Sequence, residues 1–257
     1  MPQKGTSGDS VQSLERAFEL LELLTDSGGA MGLSQLSSSS GLPLTTIHRL
    51  MGTLVHMGYV RRGGSRRYAL GPRLIRLGET ASQMLGSWAK PHLAELVELT
   101  GETSNLAMLE GDNVVYLAQM PGLHAMRMFT EPGRRLDPHC TAVGKVMLAQ
   151  LPEAQVRDIL QRNGMTERTA NTITDPDLLI AHLGVIRHQG YALDEGEQEV
   201  GVRCVAAALP DAPTMAAISV SGPQARMTEA ALKATVPALQ RVAAELSKDF
   251  NAEENGS

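Results

Sequence analysis

The sequence predicts an α+β protein with two parts, a small N-terminal winged helix-turn-helix domain and a larger domain of mixed strands and helices. Two observations predict this class. Three helix-like segments and an arginine-rich hairpin pattern lie within residues 11–71, and strand-like runs interrupted by helices follow from residue 91. The interruptions are irregular, whereas a doubly wound fold would show regular βαβ alternation. A chain of 257 residues can bury the cores of one or two such domains.

The first two helices follow from the spacing of apolar residues. Apolar side chains recur at helical intervals over residues 14–24, Ser13 precedes them as an expected N-cap, and a Gly-Gly pair ends the segment. The four serines at 37–40 could form a linker. Helical patterns flank them closely on both sides, and we therefore expect them to be the polar end of a second helix over residues 33–40.

The third helix is expected to have Pro43 in its first turn and to end at Gly58. Short hydrogen-bonding side chains and an arginine lie on one side of it, opposite an apolar stripe spaced i, i+3, i+4 and i+7. Residues 59–62 and 67–70 then read as two strands joined by a glycine-tipped turn. The predicted stripe consists of Ile47, Leu50, Met51 and Leu54.

The charge of the chain is unevenly distributed. Residues 1–78 contain nine Lys or Arg against five Asp or Glu, a net charge of +4, and the remainder carries −9. The N-terminal part is therefore basic although the whole chain has a net charge of −5. This asymmetry indicates that the basic N-terminal part, and not the acidic remainder, binds a polyanion.

The third helix and the hairpin together favour binding to double-stranded DNA. Each feature alone has a simpler interpretation, because a polar helix face is commonly just solvated and arginines can protect an edge strand from pairing. In this order and at these loop lengths they match a recognition helix followed by a wing, which would contact bases and phosphates respectively. The candidate DNA-binding residues are Thr45, Thr46, His48 and Arg49 of the helix, with Arg61, Arg62, Arg66 and Arg67 of the hairpin.

An amphipathic helix over residues 72–90 is expected to link the two domains. The larger domain shows helical patterns over residues 92–99, 141–151, 153–163, 175–189 and 228–250, and strand patterns over residues 103–109, 114–120, 126–130, 191–193, 202–209 and 215–222. We expect a disordered start over residues 1–10, the winged helix over 11–71, the linker helix over 72–90, the larger domain over 91–251 and a disordered tail over 252–257.

Three segments of the larger domain could together hold a small polar acid. A helix is expected to start after Thr141, which would act as its N-cap and leave two backbone amides free for an anion. A carboxylate and a thiol lie further along the chain, and two serines at i and i+2 on one strand point to the same face. The candidate pocket residues are Thr141, Ala142, Val143, Asp194, Cys204, Ser219 and Ser221.

These groups have two other interpretations. Cys204, His139 and Asp194 are the residue types of a nucleophile, a base and an orienting group, as in a cysteine-dependent hydrolase of a small carboxylic acid. However, Cys204 lies in an apolar strand pattern, where a free cysteine is most often a small buried hydrophobe. The acidic residues at 194–199 could suggest a metal, but no histidine stands at ligand spacing, and a solvated acidic loop is the simpler reading. We therefore expect no enzyme activity, no metal and no cofactor.

Composition gives no sign of a membrane or an oxidising compartment. No apolar run approaches the ~20 residues that span a bilayer, and the polar N-terminus lacks the apolar stretch of a secretory signal. Two cysteines lie far apart outside any CxxC pattern. We expect a cytoplasmic protein with reduced thiols.

Long stretches of the chain resemble the IclR family of bacterial transcriptional regulators. The similarity is carried by VQSLERAFELLELL, by LSQLSSSSGLPLTTIHRLMGTLVHMGYVRR and YALGPRLIRLG, and by PHCTAVGKVMLAQL, GYALDEGEQEVGVRCVAAAL and AAISVSGP. The resemblance implies a winged helix, a linker helix and a GAF-like effector-binding domain. It also implies a homodimer or tetramer on a palindromic operator.

The resemblance assigns roles to particular residues. Family members that bind small oxo-acids use the positions of the amides of Ala142 and Val143 and of the side chains of Asp194, Cys204 and the two serines. The segment MRMFTEPGRRL is most similar to the AllR-like regulators of allantoin and glyoxylate metabolism. Met126 and Met128 would then form an apolar wall of the pocket, although alternate strand residues of a core would look the same. The implied function is a repressor that responds to a glyoxylate- or allantoate-like acid, with regulation of aromatic-acid or of acetate and pyruvate metabolism as the alternative.

Overall fold

The computed structural model describes residues 11–64, 67–128 and 131–255. Contacts divide the chain into two compact units, with the division between Ala81 and Ser82. The finer boundaries expected from the sequence stay predictions. The expected disorder at residues 1–10 and 256–257 falls outside the described residues, whereas residues 252–255, also expected to be disordered, are the end of the helix Glu229–Asn255.

The N-terminal unit is a helix-turn-helix with a small sheet. Its three strands are antiparallel in the order β1-β3-β2, so the hairpin strands β2 and β3 are extended by a strand from between the first two helices. The core contains the predicted stripe of the third helix. The elements are α1 (Gln12–Asp26), β1 (Ala30–Gly32), α2 (Leu33–Ser40), α3 (Leu44–Met57), β2 (Val60–Arg62) and β3 (Arg67–Leu70).

Two features of this unit differ from the sequence-based expectation. Helix α1 begins at Gln12 after Val11, without a side-chain cap, so the prediction that Ser13 caps it is wrong. Strand β1 was not predicted, because three residues are too few to show an alternating pattern. The serine-rich segment is helical, as expected, and α2 ends at Gly41 in the left-handed conformation.

A fourth helix crosses the division between the two units. This helix, α4 (Arg73–Gly86), follows Gly71. A Cβ on Gly71 would lie 2.3 Å from the carbonyl oxygen of Gly58, so the close packing of the two backbone segments requires glycine. A single 3₁₀ turn, Ser87–Ala89, continues from it. The amphipathic helix predicted here is therefore present.

The C-terminal unit is built on one six-stranded antiparallel sheet with the strand order β6-β5-β4-β9-β8-β7. Its strands are β4 (Thr103–Glu110), β5 (Asn113–Met120), β6 (Arg135–Leu136), β7 (Ala192–Glu195), β8 (Val202–Ala208) and β9 (Ala216–Pro223). Its helices are α5 (Lys90–Thr100), α6 (Ala142–Leu148), α7 (Glu153–Asn163), α8 (Pro176–Gln189) and α9 (Glu229–Asn255).

Helices cover both faces of this sheet, and each face has its own core. Helices α5 and α9 pack on one face, with Leu93, Ile218 and Leu246 in the core between them. Helices α6, α7 and α8 pack on the other face around Met147 and Leu183. Strands and helices mix without regular alternation, so the α+β class is confirmed. Within the described residues, no helix combines the length and the apolar character required to span a bilayer.

Candidate nucleic-acid interface and ligand cavity

The polar side of α3 is open to solvent. Thr45, His48 and Arg49 are exposed and Thr46 is half-buried, while the apolar stripe of the same helix is buried. None of these four side chains makes a hydrogen bond or ion pair with another described residue. Helix α3 thus presents donors and acceptors whose partners must come from outside the described chain, which is what a base-reading helix requires.

The hairpin arginines differ from one another in what they contact. Arg61 is exposed, and its side chain makes no hydrogen bond, ion pair or cation–π contact with the described residues. The guanidinium of Arg62 lies 5.9 Å from the ring centroid of Tyr68, and Arg67 donates to the carbonyl of Ala30 at 2.5 Å. Arg66 lies outside the described residues. Arg61 is therefore freer to contact phosphate than Arg62 or Arg67.

One cavity in the C-terminal unit gathers most of the predicted pocket residues. The cavity is small, with a volume of about 30 Å³. The empty space that also includes solvent at its mouth is about 500 Å³. Eight of the nine predicted residues line it: Met128, Thr141, Ala142, Val143, Asp194, Cys204, Ser219 and Ser221. These residues come from five separate parts of the sequence.

Strand register explains why polar groups meet on one face. Asp194 is paired with Cys204, Cys204 with Ser221, and Ser221 with Thr103, in one row across four strands. Residues directly opposite each other in an antiparallel sheet have side chains on the same face. A second row brings Ser219 beside the buried Asn105.

Asn105 connects the two serines, and its role was not predicted. Its Nδ2 donates to the hydroxyls of Ser219 and Ser221, each at 3.4 Å, and its Oδ1 accepts from Gln119 at 3.2 Å. Alternation within TSNLAML could have placed Asn105 on one face of its strand, but only strand pairing brings it to the serines.

The start of α6 is fixed by a glycine and a threonine. The hydroxyl of Thr141 accepts from the amide of Gly144 at 3.1 Å, which confirms the predicted N-cap. A Cβ on Gly144 would lie 2.3 Å from the carbonyl oxygen of Pro138, so this close packing requires glycine. The amides of Ala142 and Val143 in the first turn have no backbone partner among the described residues.

A buried ion pair lies next to the cavity. The ammonium of Lys145 bonds to Oε1 of Glu197, and both residues are buried. Burial raises the pKa of Glu197, while the charge of Lys145 acts in the opposite direction. Asp194 and Glu197 are both buried, so the expectation of a solvated acidic loop is wrong for these two carboxylates. Among the acidic residues at 194–199, only Glu199 is exposed, and Glu195 pairs with Arg203.

Asp194 combines burial with backbone hydrogen bonds. Its Oδ1 accepts from the amides of Glu197 at 2.7 Å and Gln198 at 3.4 Å. Burial raises the pKa of Asp194 to about 7, although these bonds and Lys145 favour the ionised form. Near neutral pH this side chain can therefore either accept a hydrogen bond or, when protonated, donate one to a ligand oxygen.

The groups of the hydrolase interpretation do not form a catalytic set. Burial, followed by the charge of Asp194, raises the pKa of Cys204, which disfavours the nucleophilic thiolate. His139 does not line the cavity, its Nε2 lies 3.1 Å from the carbonyl oxygen of Thr166, and burial lowers its pKa. His139 is therefore not placed to act as a base for Cys204.

Asp137, His139 and Cys140 are the one group of potential metal ligands found among the described residues, with ligand atoms within 4.8 Å of one another. All three already have partners, His139 through its contact with the carbonyl oxygen of Thr166. Asp137 is paired with Arg168 at 2.6 Å, and the thiol of Cys140 donates to Gln198 at 2.9 Å. Burial raises the pKa of Cys140 to about 12, which disfavours the thiolate that a metal would need.

The two predicted wall residues are separated. Met128 lines the cavity, and its carbonyl accepts from the hydroxyl of Thr103 at 2.9 Å. Met126 is 74% exposed, so its placement in the pocket is not supported. The strand predicted over residues 126–130 is wrong for 126–128, and 129–130 lie outside the described residues. Without a strand's pleat, residues i and i+2 need not share a face.

A buried carboxylate anchors the segment that carries Met128. Arg226 forms a two-point ion pair with Glu102, one contact of which measures 2.9 Å, and its Nη2 also donates to the carbonyl of Met126 at 2.8 Å. Glu102 is only 3% exposed. This anchor positions residues 126–128 beside the cavity.

Six further residues line the cavity and were not predicted. They come from β5, from the segment around β6, from the loop after β7 and from the first residue of β8. These residues are Tyr116, Arg134, Leu136, Gln198, Glu199 and Val202.

Two family models match the chain. The model for the IclR helix-turn-helix domain matches residues 13–64, and the model for the C-terminal part of the bacterial transcriptional regulator IclR matches residues 79–248. The transcriptional repressor IclR of Escherichia coli is 37% identical, over 85% of this chain and 82% of its own. The transcriptional repressor AllR of Salmonella paratyphi A is 34% identical, over 87% and 84%. These identities do not single out the AllR-like subgroup.

Solved structures agree with the fold. The Thermotoga maritima IclR structure has a TM-score of 0.71 and 30% identity, with 93% of this chain and 98% of that chain covered. An IclR homologue from Microbacterium hydrocarbonoxydans, complexed with 4-hydroxybenzoate, has a TM-score of 0.76 and 25% identity, with 93% and 99% covered.

Proposed function

The chain belongs to the IclR family of transcriptional regulators, and from this premise we propose that it is a repressor whose binding to operator DNA responds to a small carboxylic acid. Its relatives are regulators, not enzymes. Both named relatives are repressors, which supports the same sign of regulation here.

One observation carries the effector half of this proposal. The cavity brings together free amides at the start of α6, the Ser219 and Ser221 hydroxyls, and a carboxyl group that can be protonated near neutral pH. In the proposed complex the amides of Ala142 and Val143 and the serines bind the acid group. Asp194 and Cys204 bind the neighbouring oxygen, and Met128 forms the apolar wall.

The class of the effector follows from the size of the cavity. An enclosed volume of about 30 Å³ holds two or three water molecules, since one needs about 10–15 Å³ by the same measure. This favours a compact oxo-acid such as glyoxylate, or an acetate- or pyruvate-like acid. A ureide such as allantoate is larger and would require the cavity to widen. The 4-hydroxybenzoate complex of the Microbacterium homologue supports an aromatic acid as the second candidate, which would require the cavity to widen.

On DNA, the open face of α3 would read bases while the hairpin arginines bind phosphate. We propose a homodimer or tetramer in the cytoplasm that binds a palindromic operator, because two copies of one reading helix match two half-sites. The effector can shift operator affinity only as far as it binds the two states of the protein unequally. Helix α4, which joins the two units in sequence, would transmit that difference.

A single mobility-shift experiment tests both halves. The DNA is a fragment upstream of the protein's own gene and its neighbours, with an unrelated fragment as control, and glyoxylate, allantoate, pyruvate and 4-hydroxybenzoate are added in turn. The wild-type protein should bind the upstream fragment and release it with one of these acids. Ser221→Ala should bind equally well and respond at least tenfold more weakly to the acid.

Arg49→Ala tests the reading helix in the same experiment. Loss of a bidentate base contact should cost about 1–3 kcal/mol on the upstream fragment only. Equal losses on both fragments would argue against base reading by Arg49. An unchanged acid response in Ser221→Ala would argue against the cavity as the effector site.

A further inference from the structure

Arg134 is a cation at the mouth of the cavity. It is exposed, whereas Asp194, Ser219 and Ser221 are buried further in. Among the described residues that line the cavity, Arg134 is the only basic one. A compact acid bound against the buried serines would leave the space near Arg134 unfilled.

Strand geometry aims Arg134 at the cavity and its neighbour away from it. The carbonyl of Arg134 accepts from the amide of Tyr116 at 3.2 Å, and Leu136 is paired with Val114 in the same strand pair. Tyr116, Arg134 and Leu136 all line the cavity, and Arg135 between the last two does not. This is the alternation expected along an extended chain.

The two adjacent arginines also differ in their partners. Arg135 forms an ion pair with Glu110, outside the cavity. Arg134 forms no side-chain hydrogen bond or ion pair with any residue that the structure describes. A guanidinium without a partner beside a cavity is matched to the planar, two-oxygen geometry of a carboxylate.

The other charges near the cavity do not satisfy Arg134. Glu199 also lines the cavity but is exposed and lies beyond ion-pair distance of Arg134. The carboxyl of Asp194 is bonded to the amides of its own loop, and the nearby Lys145 is paired with Glu197. The cavity therefore has a positive group at its mouth and hydrogen-bonding groups within.

We propose that Arg134 binds a second carboxylate of the effector, so that the effector is a small dicarboxylate with one acid group against the serines and the other at the mouth. This inference rests on the proposed function, because it requires that the cavity bind an acid at all. It identifies Arg134 as the residue that selects dicarboxylates over monocarboxylates of equal length.

Calorimetric titration with matched acids tests the proposal. Each pair differs only by a terminal carboxylate in place of a methyl group: malonate against propionate, succinate against butyrate, and 2-oxoglutarate against 2-oxopentanoate. At least one diacid should bind the wild-type protein about 3- to 10-fold more tightly than its partner, the range for a partly exposed Arg–carboxylate pair. Arg134→Gln should abolish that preference.

Arg135→Gln is the matched control, because it removes the same charge one residue away and outside the cavity. It should keep the preference for the diacid. Equal binding of diacid and monoacid by the wild-type protein, or a preference that survives in Arg134→Gln, overturns the inference and leaves the proposed function standing. Failure of every acid, including glyoxylate, pyruvate, allantoate and 4-hydroxybenzoate, overturns the proposed response to a carboxylic acid.

Discussion

The open face of α3 and the cavity of the C-terminal unit place polar groups in opposite ways. On α3 the candidate side chains point into solvent and have no partner among the described residues, while the helix is held by the apolar stripe behind them. At the cavity Asp194 and the two serines, with Asn105 behind them, are buried and bonded to one another or to nearby backbone. The polar groups of α3 are unsatisfied until DNA binds, whereas those of the cavity are already hydrogen-bonded before a ligand binds.

Because of this difference, substitutions at the cavity should affect both stability and function, whereas substitutions on α3 should affect function alone. Removing an exposed polar group from α3 should leave the fold intact, because water replaces the lost contact. Removing a buried polar group beside the cavity should weaken the fold as well as the site, because its partner remains buried and unsatisfied. Three predictions test this contrast, from the largest expected effect to the smallest.

The largest effect is expected at the buried ion pair. Lys145→Ala leaves the carboxylate of Glu197 buried without its cation, which should lower the free energy of unfolding of the C-terminal unit by about 3–5 kcal/mol. The single tryptophan, Trp88, lies in this unit and stacks on Phe250 with ring centroids 4.6 Å apart. Urea denaturation followed by tryptophan fluorescence therefore measures this unit.

The matched control is the exposed pair of Lys233 and Glu229, also joined by a Lys–Glu contact, at 2.7 Å. Lys233→Ala should leave the denaturation midpoint unchanged, because water surrounds both side chains. A double variant, Lys145→Met with Glu197→Leu, should recover most of the stability, because neither charge is then left alone. Equal effects of Lys145→Ala and Lys233→Ala would contradict the contrast between the two regions.

The second effect is a pH dependence that comes from Asp194. Its pKa is about 7 in the folded protein and close to 3.9 in an unfolded chain. Between these values the folded state binds more protons than the unfolded state, so stability falls as the pH rises from about 4 to 7. The fall attributed to this group is about 2–4 kcal/mol.

Asp194→Asn should remove this part of the pH dependence. Asparagine keeps an oxygen to accept from the amides of Glu197 and Gln198 but cannot ionise. Urea denaturation at several pH values from 4.5 to 8 should therefore give a shallower profile for the variant. Parallel profiles for the two proteins would mean that Asp194 does not carry the pH dependence.

The same contrast explains how much the sequence could predict. The stripe of α3 and the exposed residues opposite it follow from helical spacing alone, which is a local property. The two serines of β9 also share a face for a local reason. Their meeting with Asn105 and Asp194 depends on which strands pair and in what register, and no local pattern encodes that choice.

Short and irregular segments mark the other limit of sequence-based prediction. Strand β6 has two residues, too few for alternation to show, and so Arg134 was not recognised beside the cavity. The alternating methionines at 126 and 128 suggested a strand, but the segment is held by Glu102, Arg226 and Thr103 instead. Side-chain anchors from distant parts of the chain overrode the local pattern there.

The smallest effect separates two arginines of the hairpin that look equivalent in the sequence. Arg61 has no partner among the described residues, whereas Arg67 donates to the carbonyl of Ala30 and so helps to hold β3 beside β1. Arg61→Ala should reduce the slope of log affinity against log salt by about 1, as expected when one phosphate contact is lost. Arg67→Ala should change this slope less, because its guanidinium is already engaged, and should instead lower the melting temperature of the N-terminal unit slightly.

Filter binding to unrelated DNA from 50 to 200 mM salt, with melting curves followed by circular dichroism, measures both quantities. Equal slopes for the two variants would mean that DNA draws Arg67 away from Ala30, and that the hairpin, unlike the cavity, is not preassembled.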